Sequence, residues 1–456
     1  MKRQLAATVA LGVAAALTIA ACASSPDSST TGGDSAGTAS GGASEPAATT
    51  TLNVAYWPGP ELKAMQAVVA DYNDGQGKTD NVAVKLTTFS TDDMFNKELV
   101  EMTTNSSTLD MYYTASYLLG QHIPYLVPFD GMDSSALYPS ATDGFSKEGK
   151  LYAVPLDASM IGTIYRTDLI DGLISNQATW PTFGKISEEV TGKSLTPKDP
   201  ADWSWDDFMA TAAYFTKSYN PDSPTEYGTI LPLKNGGFAG LQWSGTLYSM
   251  GGSWTTPDGA PNFDTAEAQG AVELYAKAIT LGIASPNSSQ GNATALNAAM
   301  TSGSVAFEMQ WYSSMAGFND AQEAPTTAGK VKFVPVPGLH KGHMHLQGVG
   351  INAASKNIDA AKKFVAYLLT PRALDLYGNS GGIPPADSFL SNSSTLGDLA
   401  TLVKDNTVTE PSIGSVDALT VATEVSDKLS GAWLGSSDAK AALDALQSSL
   451  VAKAGS

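Results

Sequence analysis

Three of the four histidines, His340, His343 and His345, fall within six residues of one another. So dense a set of imidazoles suits zinc or copper. The spacing speaks against a site. His343 and His345 alternate along an extended segment, while His340 occupies a Gly/Pro-rich turn. No carboxylate stands beside them and no H-E-x-x-H helix pattern occurs, so neither a metal nor a cofactor is expected. Nucleophilic and phosphate chemistry have no better footing, because the chain lacks a G-x-S-x-G elbow, a P-loop and a dinucleotide fingerprint. A glycosidase needs two carboxylates at a defined gap across a cleft, which the sequence leaves open. What stands out is aromatic residues beside acids and amides: Trp57, then Asp110 with Tyr112 and Tyr113, then Gln310 with Trp311 and Tyr312. Such groups build concave, partly apolar binding sites.

Cys22 is the only cysteine, which excludes a disulfide scaffold and a thiolate metal cluster. It follows Lys2, Arg3 and an apolar run from Leu5 to about Ala20. That run is too short and too early for a spanning helix, and residues 1–21 read as a signal peptide. The small residues immediately before Cys22 resemble a bacterial lipobox, in which the thiol is lipidated. Residues 23–50 hold no aromatic, branched aliphatic or basic residue, too little apolar surface to offset ordering entropy. Residues 22–50 are therefore expected to be a lipidated cysteine and a tether, spanning roughly 30 Å as a flexible coil. The expected place of work is outside the cell, on the outer face of the membrane.

The full 456 residues suggest two or three domains at about 150 residues each. With 26 Lys+Arg against 45 Asp+Glu, a net −19 argues against a nucleic-acid partner. From Leu52 the pattern reads strand, helix, strand, helix, strand: Leu52–Tyr56, then Leu62, Met65, Val68, Val69 and Tyr72 on one helical face. Val82–Leu86 alternates next, then Phe95, Leu99 and Met102 face inward, and Leu109–Tyr113 is a third strand. This is the signature of a parallel sheet flanked by helices, an α/β fold. Ligands in such sheets sit at the carboxyl ends of the strands, where Trp57 and the Asp110–Tyr113 stretch fall. Further strands are expected at Ile161–Tyr165, Tyr227–Leu231, Ser304–Met309, Val331–Val334 and Gln347–Ile351. Helices are expected at 205–219, 238–250, 265–281, 359–369 and through 413–452.

At this level of detail the chain resembles the extracellular solute-binding proteins of carbohydrate ABC transporters. GKLYAVPLDASMIGTIYRTDLI (Gly149 to Ile170) looks like the segment joining the two lobes of that family, and WSWDDFMATAAYF (Trp203 to Phe215) like the helix start after it. MTSGSVAFEMQWYSSM (Met300 to Met315) resembles the family's strand ending in an aromatic at the cleft. GVGINAASKNIDAAKKFVAYLLTPRAL (Gly348 to Leu374) is similar to a stretch of maltose-binding protein, and GGIPPADSFL (Gly381 to Leu390) to the loop after it. The resemblance implies a two-lobed, periplasmic-binding-protein-like fold with a central cleft and hinge strands. One lobe would comprise 51–158 and 344–378, the other 159–343 and 379–456. It also implies a monomer that captures a mono- or oligosaccharide and hands it to ABC permease subunits, held to the membrane by its lipid anchor. A receptor for a polyol or an osmolyte, and a secreted carbohydrate-active or metal-binding enzyme, are the competing readings.

Sugars are held by flat aromatic faces on their C–H surfaces and by fixed carboxylates or amides on their hydroxyls. On this basis Trp57 is either a ligand contact or a turn aromatic, and Asp110 either a hydroxyl acceptor or a helix cap. Of Tyr112 and Tyr113 only one can face the cleft, and Asp157 is either a ligand or a hinge contact. Trp311 is the leading candidate in the second lobe, accompanied by Gln310 and Tyr312. Trp243 lies among glycines that leave a cleft side open, Trp254 follows Gly251-Gly252, and Gly382 is placed to offer a backbone amide. Ala386 stands where relatives often carry an arginine, so no relative's specificity transfers directly.

Overall fold

The computed structural model describes residues 48–59, 61–90, 93–234, 236–390, 399, 407–408 and 412–455; Cys22 and nearly all of the tether lie outside them. Seven strands position the site: β1 (Thr50–Ala55), β2 (Val82–Thr87), β3 (Met111–Ala115), β4 (Val154–Arg166), β5 (Phe307–Trp311), β6 (Val331–Val334) and β7 (Gly342–Ile351). They share one sheet in the order β2-β1-β3-β7-β4-β5, with β6 also on β4. The helices used below are α1 (Glu61–Asp74), α2 (Met94–Thr103), α3 (Gly237–Ser249), α4 (Ala293–Ser302), α5 (Ile358–Leu368), α6 (Pro371–Asn379), α7 (Ala418–Trp433) and α8 (Ala439–Ala454).

β1 pairs in parallel with β2 and β3, as the alternation of strands and helices predicts. Among these seven strands parallel pairing stops there, because β7 returns from far along the chain and lies antiparallel to both β3 and β4. Two large hydrophobic cores result. The first gathers Leu52 and Val54 of β1, Met65, Val68 and Tyr72 of α1, and Phe364 and Val365 of α5. The second gathers Phe307 and Met309 of β5 with Trp243, Leu247 and Trp433 of α3 and α7. Asp417 and Asp438 cap α7 and α8 by accepting the backbone N–H groups of Thr420 and Ala441.

β4 is the crossing strand. Val154–Met160 pairs with β7 and its side chains enter the first core; from Ile161 onward it pairs with β5 and β6 and enters the second. The crossing therefore lies at Met160–Ile161, downstream of the Ala153-Val154-Pro155 step. At that step Pro155 has no N–H to give the ladder, and the register shifts between Pro155 and Asp157. Ile383, Ala386, Phe389 and Leu390 also pack into the first core. Among the described residues Tyr227–Leu231 forms only isolated bridges, to Val305 and Ala284. Its backbone presses on a helix there: a Cβ at Gly228 would stand 2.0 Å from the Ala212 carbonyl oxygen.

Candidate functional site

Between the two cores lies a cavity of about 190 Å³. The first lobe supplies an aromatic wall. Trp57, just past the end of β1, stacks on Phe95 of α2 at 5.3 Å between centroids and on Tyr113 of β3 at 5.9 Å. Tyr117, beyond the carboxyl end of β3, meets Phe95 edge-on at 6.3 Å. The second lobe supplies Trp311 at the carboxyl end of β5, with Phe238 and Leu241 of α3 and Leu419 of α7. The aromatic faces therefore approach the cavity from both sides.

The polar lining comes from the hinge and from α1. Glu61, the first residue of α1, is 2% exposed and accepts from the Ser313 hydroxyl in the turn after β5, which joins the lobes. Its Oε2 has no hydrogen-bond partner among the described residues, and burial pushes its carboxyl above the usual glutamate value. Ser159 of β4 is paired with His345 of β7, and Gln347 lies two residues on along the same face. The Gln347 amide nitrogen donates to His345 Nε2 at 2.7 Å, which leaves the ring proton on Nδ1. Burial, with His343 alongside, holds the His345 pKa well below the ordinary histidine value. The imidazole is neutral at pH 7. Among the described residues, Ser159 Oγ, His345 Nδ1 and Gln347 Oε1 are buried without partners, as is Glu61 Oε2. All four residues line this one cavity, which thus presents acceptors and donors that the protein itself does not satisfy.

Of the residues singled out from the sequence, Trp57, Tyr113, Trp311 and His345 line the cavity, while Asp110, Tyr112, Asp157, Trp243, Trp254, Gln310, Tyr312 and Gly382 do not. Asp110 was expected at the carboxyl end of a strand over Leu109–Tyr113. The strand is Met111–Ala115, so Asp110 precedes it, at the end away from the cavity. Its carboxylate accepts from Asn53 N at 2.8 Å, Ser355 Oγ at 2.6 Å and Asn357 Nδ2 at 3.0 Å, and so clamps β1 to the turn before α5. Tyr112 is buried in the first core and Tyr113 lines the cavity. Asp157 is fully buried beside the first core. Its Oδ2 accepts from Ile383 N at 2.8 Å and Tyr377 Oη at 3.2 Å, and burial, then the neighbouring Glu61 charge, raises its pKa.

Trp243 is fully buried against Trp433, and Trp254 is fully buried against Phe263. Gln310 stands behind the lining: it donates to Asn297 Oδ1 at 3.0 Å, and Asn297 faces the cavity. Tyr312 packs edge-on against Phe333. At Gly382 a Cβ would stand 2.0 Å from the Tyr377 ring, and its N–H already donates to the Tyr377 carbonyl, so its role is close packing. His340 bonds the Val336 carbonyl in a positive-φ turn, apart from His343 and His345 on β7.

Comparison with known proteins follows the same outline. The sequence pattern of the bacterial extracellular solute-binding protein family matches residues 56–374. A probable amino-acid ABC transporter periplasmic-binding protein of Sinorhizobium fredii is 21% identical over 341 residues, 73% of this chain and 72% of that protein. The mannitol-binding protein of Pseudomonas aeruginosa is 27% identical over 257 residues, 53% of this chain and 51% of that protein. Among solved structures, the maltose-bound MalE3 of T. maritima superimposes with a TM-score of 0.71 at 16% identity, covering 88% of this chain and 99% of that one. A solute-binding protein of Agrobacterium vitis with bound D-mannitol gives a TM-score of 0.67 at 22% identity, covering 89% and 98%. The fold is the two-lobed architecture of these proteins, and the chain belongs to the bacterial extracellular solute-binding protein family.

Proposed function

We propose that the protein is the capture component of an ABC importer, closing its two lobes on a neutral, polyhydroxylated solute: a carbohydrate or a polyol. The observation that carries this reading is the convergence of four partnerless polar groups on a cavity walled by aromatic rings. Hydroxyl groups both donate and accept, so one such solute can satisfy Glu61, Ser159, His345 and Gln347 together while its C–H faces lie on Trp57 and Trp311. Contacts to both lobes favour the closed state, and hinge closure is the expected motion. The relatives that bind mannitol and maltose support the same class. An amino acid fits less well, because among the described residues no lysine or arginine lines the cavity to meet its carboxylate.

The protein binds without turnover, acts as a monomer, and is held at the membrane through lipidated Cys22 at the end of the tether. Calorimetric titration with D-mannitol, D-glucose and maltose, with melting curves beside it, tests the solute. A ligand at 100 times its Kd adds about 2.7 kcal/mol of stability. Stabilisation by amino acids and by no sugar or polyol would sink the reading. Cys22→Ser tests the anchor separately: the variant should leave the membrane fraction or remain uncleaved, and membrane retention like wild type argues against lipidation.

A further inference from the structure

The central cavity ends, on one side, at two apolar side chains that also face the space beyond. Phe95 of α2 and Leu419 of α7 line both the cavity of about 190 Å³ and an adjoining groove of about 350 Å³. We propose that Phe95 and Leu419 form a length gate, which admits a single monosaccharide ring or alditol chain and shuts out a second sugar unit. The gate rests on the reading of the cavity as a carbohydrate or polyol site.

Size is the first argument. The cavity lies below the ~300–1,000 Å³ of sites for larger ligands, so an oligosaccharide needs room from elsewhere. The groove behind the gate offers that room, and it carries Asn96, Gln121, Thr420 and Thr423, side chains able to bond sugar hydroxyls. Among the described residues, Phe95 and Leu419 are the two side chains that line both spaces. The second argument is that both are fixed. Phe95 is held by its stack on Trp57 and its edge contact with Tyr117. Leu419 is seated over Gly237, the first residue of α3, where a Cβ would stand 2.6 Å from the leucine Cδ1. The bare backbone of Gly237 leaves Leu419 its place. The third argument is chemical: neither residue offers a partner to a hydroxyl, so a glycosidic extension pressed against them loses its hydration without return.

The test is calorimetric titration of wild type and of Leu419→Ala with D-glucose, D-mannitol, maltose and maltitol. Wild type is expected to bind a single-unit solute at least tenfold tighter than its disaccharide counterpart. Leu419→Ala should raise the disaccharide-to-single-unit affinity ratio at least tenfold, and Leu419→Val, a smaller truncation, should fall between. Melting curves establish that each variant is folded. Equal wild-type affinity for both lengths, or an unchanged ratio in folded Leu419→Ala, overturns the gate while leaving the solute class intact. Binding of none of the four by wild type overturns the reading beneath it.

Discussion

The imidazole of His345 lies 4.1 Å from the indole of Trp311, centroid to centroid, with 44° between their planes. The two residues sit on strands flanking β4, and the register explains their meeting. His345 is paired with Ser159 and Trp311 with Ile161, and Ser159 and Ile161 share one face of β4. Trp311 is thereby held as a fixed plate at the hinge, 7% exposed, with its remaining surface toward the cavity. Removing a desolvated aromatic contact typically costs ~2 kcal/mol or more in binding. Trp311→Ala should raise Kd for the bound sugar or polyol at least tenfold, about 1.4 kcal/mol. Trp254→Ala removes a ring fully buried in the second core, so it should cost about 3–5 kcal/mol of stability and leave the affinity of folded protein unchanged. Calorimetry and denaturant curves on both variants separate the two roles; a shared phenotype would count against this placement of the site.

Glu61 presents the complementary case. Its buried, unpartnered Oε2 costs the empty protein free energy that a ligand hydroxyl would offset. Glu61→Gln keeps the shape and removes the charge. The variant should bind at least tenfold more weakly, since hydrogen bonds to charged groups are worth ~1.5–3 kcal/mol, while the empty protein melts no lower than wild type. A drop in melting temperature without loss of affinity would reverse the assignment and make Glu61 a structural residue.

Much of the framework was legible because it is periodic. The buried positions of α1 and of α5 follow the 3.6-residue repeat, and Trp57 is found by its place after an alternating strand. The site was less legible. Glu61 reads as an ordinary acid in a first helical turn, and nothing local shows that Ser313 closes over it. Ser159, His345 and Gln347 are brought together by pairing between β4 and β7, which are distant in the chain, and register at that separation is not encoded by periodicity. Trp243 misleads for a different reason. Its helix is buried all along Ala239–Ser249, and the glycines read as an open side admit neighbouring backbone instead: at Gly240 a Cβ would stand 2.0 Å from the Ala422 carbonyl oxygen.

Asp110 shows how a two-residue error in a strand changes a role. Its carboxylate satisfies three donors, one on β1 and two ahead of α5. Asp110→Ala leaves those donors unpaired in a closely packed place, at a cost of about 2–4 kcal/mol of stability. Affinity should be unchanged when measured under conditions where the variant is folded. Weakened binding by a variant whose melting curve matches wild type would restore Asp110 to the site.

Stability should also fall as the pH rises through neutrality, and Glu308 is the clearest contributor. It lies on β5 with 0% exposure, neither carboxylate oxygen has a partner among the described residues, and burial pushes its pKa well above the ordinary 4.5. Burial raises Glu98 and Asp157 in the same direction. For such groups the folded state holds its proton more tightly than the unfolded chain, so the linkage has a definite sign. Below the unfolded value both states are protonated and no penalty applies. Between the ordinary value and the raised folded value the unfolded chain has released its proton and the native state has not, so each added pH unit lowers stability. The slope is at most about 1.4 kcal/mol per pH unit for each such group. Above the folded value the penalty is complete. The ligand-free protein should therefore melt at a lower temperature at pH 8 than at pH 5.5. Glu308→Gln removes one titrating group without removing the side chain's bulk, so it should raise stability at pH 8 and flatten the profile, with sugar affinity unaltered. The variant-minus-wild-type difference isolates Glu308 from the other acids. A difference that does not grow between pH 5.5 and pH 8 would show that Glu308 does not carry this titration.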